Sequence, residues 1–154
     1  MEYYVYFLID PRINLPFYIG KGKFNRCDYH LKETLENTDF RKVLYTGKHS
    51  QLVLMCLNPG EEIGEEVHGH LDQFFRFESG EGEVLIDGAK HTVADGDGII
   101  IPAGANHNVT NISKSSNLLF YTIYSPPEHQ DGVVRHTKAD AIAEPEEYDG
   151  KTTE

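Results

Sequence analysis

Cysteine is scarce in this chain of 154 residues, which holds only Cys27 and Cys56. The two form no CxxC pair and no disulfide framework, so a reducing cytoplasm is the expected setting. Long apolar runs are absent as well. A stretch such as Val5 to Ile9 is far too short to span a bilayer. Glu2, with no basic stretch before that run, argues against a secretory leader. No membrane partner is expected. Basic residues run out early: residues 1–48 carry 8 Lys/Arg against 6 Asp/Glu, whereas residues 49–154 carry 6 against 19. So acidic a body repels phosphate backbones, and the candidate basic patch, Lys21, Lys23 and Arg26, is small. No nucleic-acid partner is expected either. Core material is not lacking. The chain is 39% hydrophobic and 25% charged, which suits one medium domain with a short extra module and excludes wholesale disorder.

The run Tyr3 to Ile9, aromatic and β-branched, reads as a strand that Asp10-Pro11 ends. Phe17-Tyr18-Ile19 reads as a second strand, closed by Gly20-Lys21-Gly22-Lys23. From Asn25 to about Glu36, Cys27, Leu31 and Leu35 recur every four residues, which predicts a helix with one narrow apolar stripe. The pattern then changes to short strands punctuated by turns: 51–57, 73–78, 83–86, 91–94, 98–101, 106–112 and 118–124. Asp87-Gly88 is a strong two-residue hairpin signal. Such regular spacing predicts an all-β barrel or jelly roll. The tail from Pro126, with Pro126-Pro127 and the acidic run Glu144–Glu147, is expected to drape over it or to be loosely held.

Three of the eight histidines stand out. His68 and His70 are two apart, so on an extended strand both rings leave the same face. From Gln73 the chain alternates, with Gln73, Phe75 and Phe77 on one side. An amide among phenylalanines is expensive to bury without a partner. Asp72 has the opposite parity and is the weaker ligand candidate. His107 opens a later strand. Two imidazoles from one strand, one from another and a side-chain oxygen suit a divalent transition metal: Zn, Fe, Ni, Cu or Mn. His91 shares the parity of Val93 and can reach the interior; His30, His49, His129 and His136 read as surface residues, Tyr121 and Tyr124 as packing, and Cys56 as a buried, inert thiol.

These residues resemble the cupin superfamily. Gly96, Pro102, Gly104, His107 and Asn111 match its second motif, G-x5-P-x-G-x2-H-x3-N, without a gap. His68, His70, Gln73 and Gly80 match the first motif in part. Its leading glycine, Gly60, lies two residues too far back, the spacing after His70 is one residue short, and Gln73 stands where the family has glutamate. The resemblance covers residues 43–125. It implies a cupin jelly-roll β-barrel with a metal at its mouth, bound by His68, His70, Gln73 and His107. A neutral amide in place of glutamate leaves the full charge of the ion, which favours an anionic substrate such as an enolate or carboxylate.

Residues 3–33 resemble the start of a GIY-YIG nuclease domain. Tyr4-Val5-Tyr6-Phe7-Leu8, the run Phe17 to Lys23, Asn25-Arg26 and His30 carry that likeness. Tyr6, Tyr18 and Arg26 match early site positions, but the downstream helix with the metal-binding glutamate has no counterpart before Arg41. The expected organisation is a truncated hairpin-helix segment at 1–40, a cupin barrel at 41–125 and a C-terminal tail at 126–154. The apolar hairpin face (Tyr4, Tyr6, Leu8, Phe17, Ile19) lacks partner surface within residues 1–40, and cupin barrels commonly pair through an edge strand. A homodimer is therefore expected.

The leading function implied is a metal-dependent small-molecule dioxygenase acting on an enolisable or anionic substrate. A non-catalytic sugar- or metabolite-binding cupin and a sugar isomerase stay open. DNA cleavage ranks last, because a phosphodiesterase without its metal ligand cannot stabilise the developing phosphate charge.

Overall fold

The structure is a computed structural model that describes the backbone of residues 4–10, 15–22 and 26–153, and the side chains of residues 31–153. The chain divides into two compact units, residues 1–33 and 34–154. In the first, β1 (Tyr4–Asp10) pairs antiparallel with β2 (Leu15–Gly22), and Tyr6 lies opposite Gly20. The helix α1 (Arg26–Glu36) follows. On it, Leu31 and Leu35 are nearly half exposed, so these two positions of its apolar stripe are only partly covered. Tyr6, Tyr18, Arg26 and Cys27 lie outside the residues with described side chains.

The second unit is a jelly roll of two facing antiparallel sheets. Its strands are β3 (Arg41–Thr46), β4 (Gln51–Leu57), β5 (Glu66–Val67), β6 (Asp72–Ser79), β7 (Glu81–Ile86), β8 (Ala89–Ala94), β9 (Gly98–Ile101), β10 (Asn106–Asn111), β11 (Leu118–Ser125) and β12 (Val134–Arg135). The short helix α2 (Lys138–Ala143) is held by a reciprocal cap between Thr137 and Asp140. One sheet runs β5-β10-β7-β8, the other β12-β3-β4-β11-β6-β9. Among the described residues, no helix is long and apolar enough to cross a membrane.

Strand alternation sets the interior. On the larger sheet Met55, Phe120 and Phe77 form one inward row, and Val53, Thr122 and Phe75 the next. These apolar rows, with Val84, Val93 and Val109 from the smaller sheet, make the core. The row at the other end is polar: Thr46, Gln51, Tyr124 and Gln73 are successive register partners, ending on Ile101, and all five are buried. That row marks the barrel mouth.

Two motif glycines close the turns. Gly80 has φ +94°, and a Cβ there would come within 2.5 Å of the Asn117 carbonyl oxygen, so no other residue fits. Gly104 has φ +87° and its N–H donates to the His68 carbonyl at 2.8 Å, tying the loop before His107 to the segment that carries His68.

The segment after β11 is not loose. It adds β12 to the larger sheet, against β3. The Gln51 amide clamps it, accepting from the His129 N–H at 2.9 Å and donating to the His129 carbonyl at 2.7 Å. The side chain of Glu146, from the acidic run, is 3% exposed and lies within 3.5 Å of Arg41, His129 and Arg135. Near the end of the chain, Thr153 bonds Thr46 through its N–H and its hydroxyl.

Candidate metal centre

The Nε2 of His107 has no hydrogen-bond partner, although the residue is fully buried. His107 sits on β10, where it pairs with Glu66 of β5 and with Ile86 of β7. Its Nδ1 lies 3.3 Å from the Ala105 carbonyl, which can only accept, so Nδ1 carries the proton and Nε2 the lone pair. Burial holds the His107 pKa below its ordinary value, against the Ala105 contact and Glu66, and the ring is neutral at pH 7. A neutral imidazole with a free, buried lone pair has the chemistry of a metal ligand.

His68 follows β5, its ring centroid 5.5 Å from that of His107. Glu66 Oε2 lies 3.4 Å from His68 Nε2. Glu66, His68 and His107 each offer a ligand atom, all within 4.8 Å of one another. On the other edge of the His68 ring, Glu128 Oε1 lies 3.3 Å from Nδ1. The carboxylates of Glu128 and Glu66 outweigh burial and push the His68 pKa up to about 9. Burial works to raise the Glu66 pKa, but His68 and Arg41 hold it below the usual range, while Glu128 is lowered chiefly by His68. The orphaned His107 Nε2 and this two-nitrogen, one-oxygen donor set fit a divalent transition ion.

The four residues picked out by motif are distributed unequally. His68 and His107 come together. Gln73 faces inward with Phe75 and Phe77, is 2% exposed, and has no hydrogen-bond partner at either amide atom. It neighbours Tyr124, whose ring centroid is 5.9 Å from that of His68. Burial raises the Tyr124 pKa, so its phenol stays protonated. His70 goes elsewhere: its side chain is 66% exposed, with Nε2 3.4 Å from Glu128 Oε2. The reason is local, since β5 ends at Val67 and Gly69-His70 form a turn, so the one-face rule of a strand does not reach His70. Asp72 is exposed and caps the Ala103 N–H.

Three other histidine and cysteine expectations can be checked. His91 is exposed despite sharing the parity of Val93, because β8 is an edge strand whose only buried residue is Val93. His129, expected at the surface, is 6% exposed, its ring 5.1 Å from that of Tyr124. Cys56 is a buried free thiol, its pKa raised by that burial. Glu66 and Glu128 are the functional candidates missed. Glu66 has a sequence signal, standing two residues before His68 within one strand-like stretch. Glu128 has none, since only the folded tail brings it to residue 68.

A family model described as Cupin domain matches residues 53–124. The uncharacterized protein YrkC of Bacillus subtilis is 45% identical over 118 residues, 73% of this chain and 63% of that protein. The uncharacterized protein L612 of Acanthamoeba polyphaga mimivirus is 42% identical over 106 residues, 67% of this chain and 66% of that protein. The chain thus spans slightly less than two thirds of either curated relative. The crystal structure of BH2720 from Bacillus halodurans superposes with a TM-score of 0.74 at 42% identity, covering 80% of this chain and 94% of that one.

Proposed function

The chain belongs to the cupin superfamily, and from that premise we propose that it is a metal-dependent dioxygenase acting on a small enolisable substrate. The observation that carries this is the buried, unpartnered Nε2 of His107 facing His68 and Glu66. Two imidazoles and one carboxylate are the donor set of non-haem iron oxygenases, which leave coordination positions open. Fe(II), or Mn, Ni, Zn or Cu in its place, would supply Lewis acidity toward a substrate oxygen. Glu66 cancels one charge of a divalent ion and leaves a net positive centre, which retains a preference for an enolate or carboxylate oxygen.

The remaining chemistry belongs to the walls. Phe75 lies 6.1 Å from the His107 ring, centroid to centroid, and gives the interior an apolar side that excludes water. Gln73 offers an unbonded amide and Tyr124 a neutral phenol, both able to orient a polar substrate. Gln73 is also the fourth ligand in this proposal. His70, with its ring at the surface, becomes one only if the Gly69 turn rearranges. A second reading, non-catalytic binding of a polar metabolite or isomerisation of a sugar, draws support from the Gln73 amide and the Thr122 hydroxyl, both buried and unpartnered.

The proposal extends to a cytoplasmic homodimer. Ile100, 67% exposed on the edge strand β9, supports pairing through that edge. Oxygen consumption by iron-loaded protein, screened against enolisable acids and diketones, tests the catalytic claim. Uptake that vanishes in His107→Ala is expected; metal-loaded protein that binds these compounds without consuming oxygen favours the binding role.

A further inference from the structure

His68 is bracketed by two carboxylates, one at each ring nitrogen. Glu66, on the Nε2 side, belongs to the group that can hold an ion. Glu128, on the Nδ1 side, stands outside that group. It comes from the tail, sixty residues further along the chain. A ligand imidazole uses one nitrogen for the ion, and a carboxylate on the other fixes the tautomer, aims the ring and raises its basicity.

We propose that Glu128 is the positioning residue for His68, so that the C-terminal strap forms part of the metal centre. The inference rests on the metal reading above. The backbone that carries Glu128 is held on three sides. The Glu128 N–H donates to Gln51 Oε1 at 3.3 Å, and its carbonyl accepts from the Tyr148 N–H at 2.8 Å. The next residue, His129, is bonded to Gln51 through both its N–H and its carbonyl. The second carboxylate oxygen of Glu128 lies 3.4 Å from His70 Nε2. This gives His70 a place as the outer arm of Glu128 rather than as a ligand. The order is then His70, Glu128, His68, ion: the H-x-H pair serves one centre, with one histidine on the ion and the other behind it.

Competition for cobalt(II) with a chromogenic chelator tests this on the full chain. Glu128→Ala should weaken affinity by about 10–100-fold, the usual scale for losing an outer carboxylate. Glu128→Gln, which keeps the size and one acceptor oxygen of the side chain, should lose about tenfold. His70→Ala should lose less than about fivefold, the scale of an exposed ion pair. In zinc-loaded protein, long-range proton–nitrogen NMR should find His68 bound through Nε2, with an exchange-protected Nδ1 proton that Glu128→Ala exposes. A folded Glu128→Ala with unchanged cobalt affinity, a folded Glu128→Gln with unchanged affinity when Glu128→Ala does not fold, or His68 bound through Nδ1 overturns the positioning role while leaving the metal reading intact. Wild-type protein that takes up no cobalt overturns both.

Discussion

Gln51 and Gln73 lie in one cross-strand row, on either side of Tyr124, and meet opposite fates. The Gln51 amide is fully engaged, by the Thr46 hydroxyl and by the backbone of Glu128 and His129. The Gln73 amide, equally buried, makes no hydrogen bond of good geometry and has the Tyr124 phenol as its polar neighbour. An orphaned buried amide costs about 1–3 kcal/mol, and a barrel could replace it with methionine at no loss of shape. Its place next to Tyr124, whose ring lies 5.9 Å from that of His68, is what the proposed role as ligand or substrate contact would account for.

Gln73→Met should therefore stabilise metal-stripped protein by about 1–2 kcal/mol, the desolvation cost removed. It should weaken metal and ligand binding together. Gln73→Glu should tighten divalent-metal binding and weaken anionic ligands, because it adds a negative charge at the ion. Thermal melting and chelator competition read the two effects separately. Unchanged metal affinity in both Gln73→Glu and Gln73→Ala would show that Gln73 is not a ligand.

Acid should loosen the strap in two stages. Burial keeps the His129 pKa below 6.5 despite Glu146. The unfolded chain therefore takes up that proton first, and stability begins to fall as pH drops below 6.5. Burial works to raise Glu146, but His129, Arg41 and Arg135 hold it below 4.5. Its contribution is complete above 4.5 and lost as pH falls through the folded value. Glu146→Gln should cost about 2 kcal/mol near pH 7, between the worth of an exposed pair and a buried one. It should also flatten the lower stage. Melting curves at pH 7, 5.5 and 4 check both; an unaltered acid profile in the variant would show that the Glu146 contacts do not set the acid stability of the strap.

The homodimer proposal predicts a mass of two chains by light scattering. Deleting residues 1–33, the first compact unit, should lower solubility or change that mass, while metal binding persists in the second unit. A truncated protein of equal solubility and equal mass would show the first unit to be dispensable for assembly.

The nuclease resemblance predicts little. The basic cluster offers about three phosphate contacts, whereas binding at physiological salt generally needs roughly six to ten. No magnesium-dependent nicking of plasmid or branched DNA is expected, and no retention on heparin at about 0.15 M salt. Nicking that survives purification and disappears in Arg26→Ala would restore the nuclease.

Much of the barrel was legible because its strands alternate cleanly and its turns carry glycine. Residues 51–57 and 98–101 are strands at the bounds that the pattern gives, and Gln73 faces inward as its parity requires. The H-x-H segment misled for a physical reason: the period-two rule holds only on extended backbone, and the chain turns at Gly69-His70. The tail was illegible because its order is tertiary. Glu146 looks like one member of a solvated acidic run until Arg41, 105 residues away, is folded beside it. Glu128 and His129 were hidden in the same way, since Gln51 fixes both from 77 and 78 residues away.

Metal content tests the central claim most directly. Elemental analysis after mild purification should find about one divalent transition ion per chain, as a single centre built from the ligands of one chain requires. A His68→Ala/His107→Ala double variant, shown to be folded by circular dichroism, should hold essentially none. Equal metal in the wild type and the double variant, or none in either after reconstitution, would contradict a metal centre built on these two histidines.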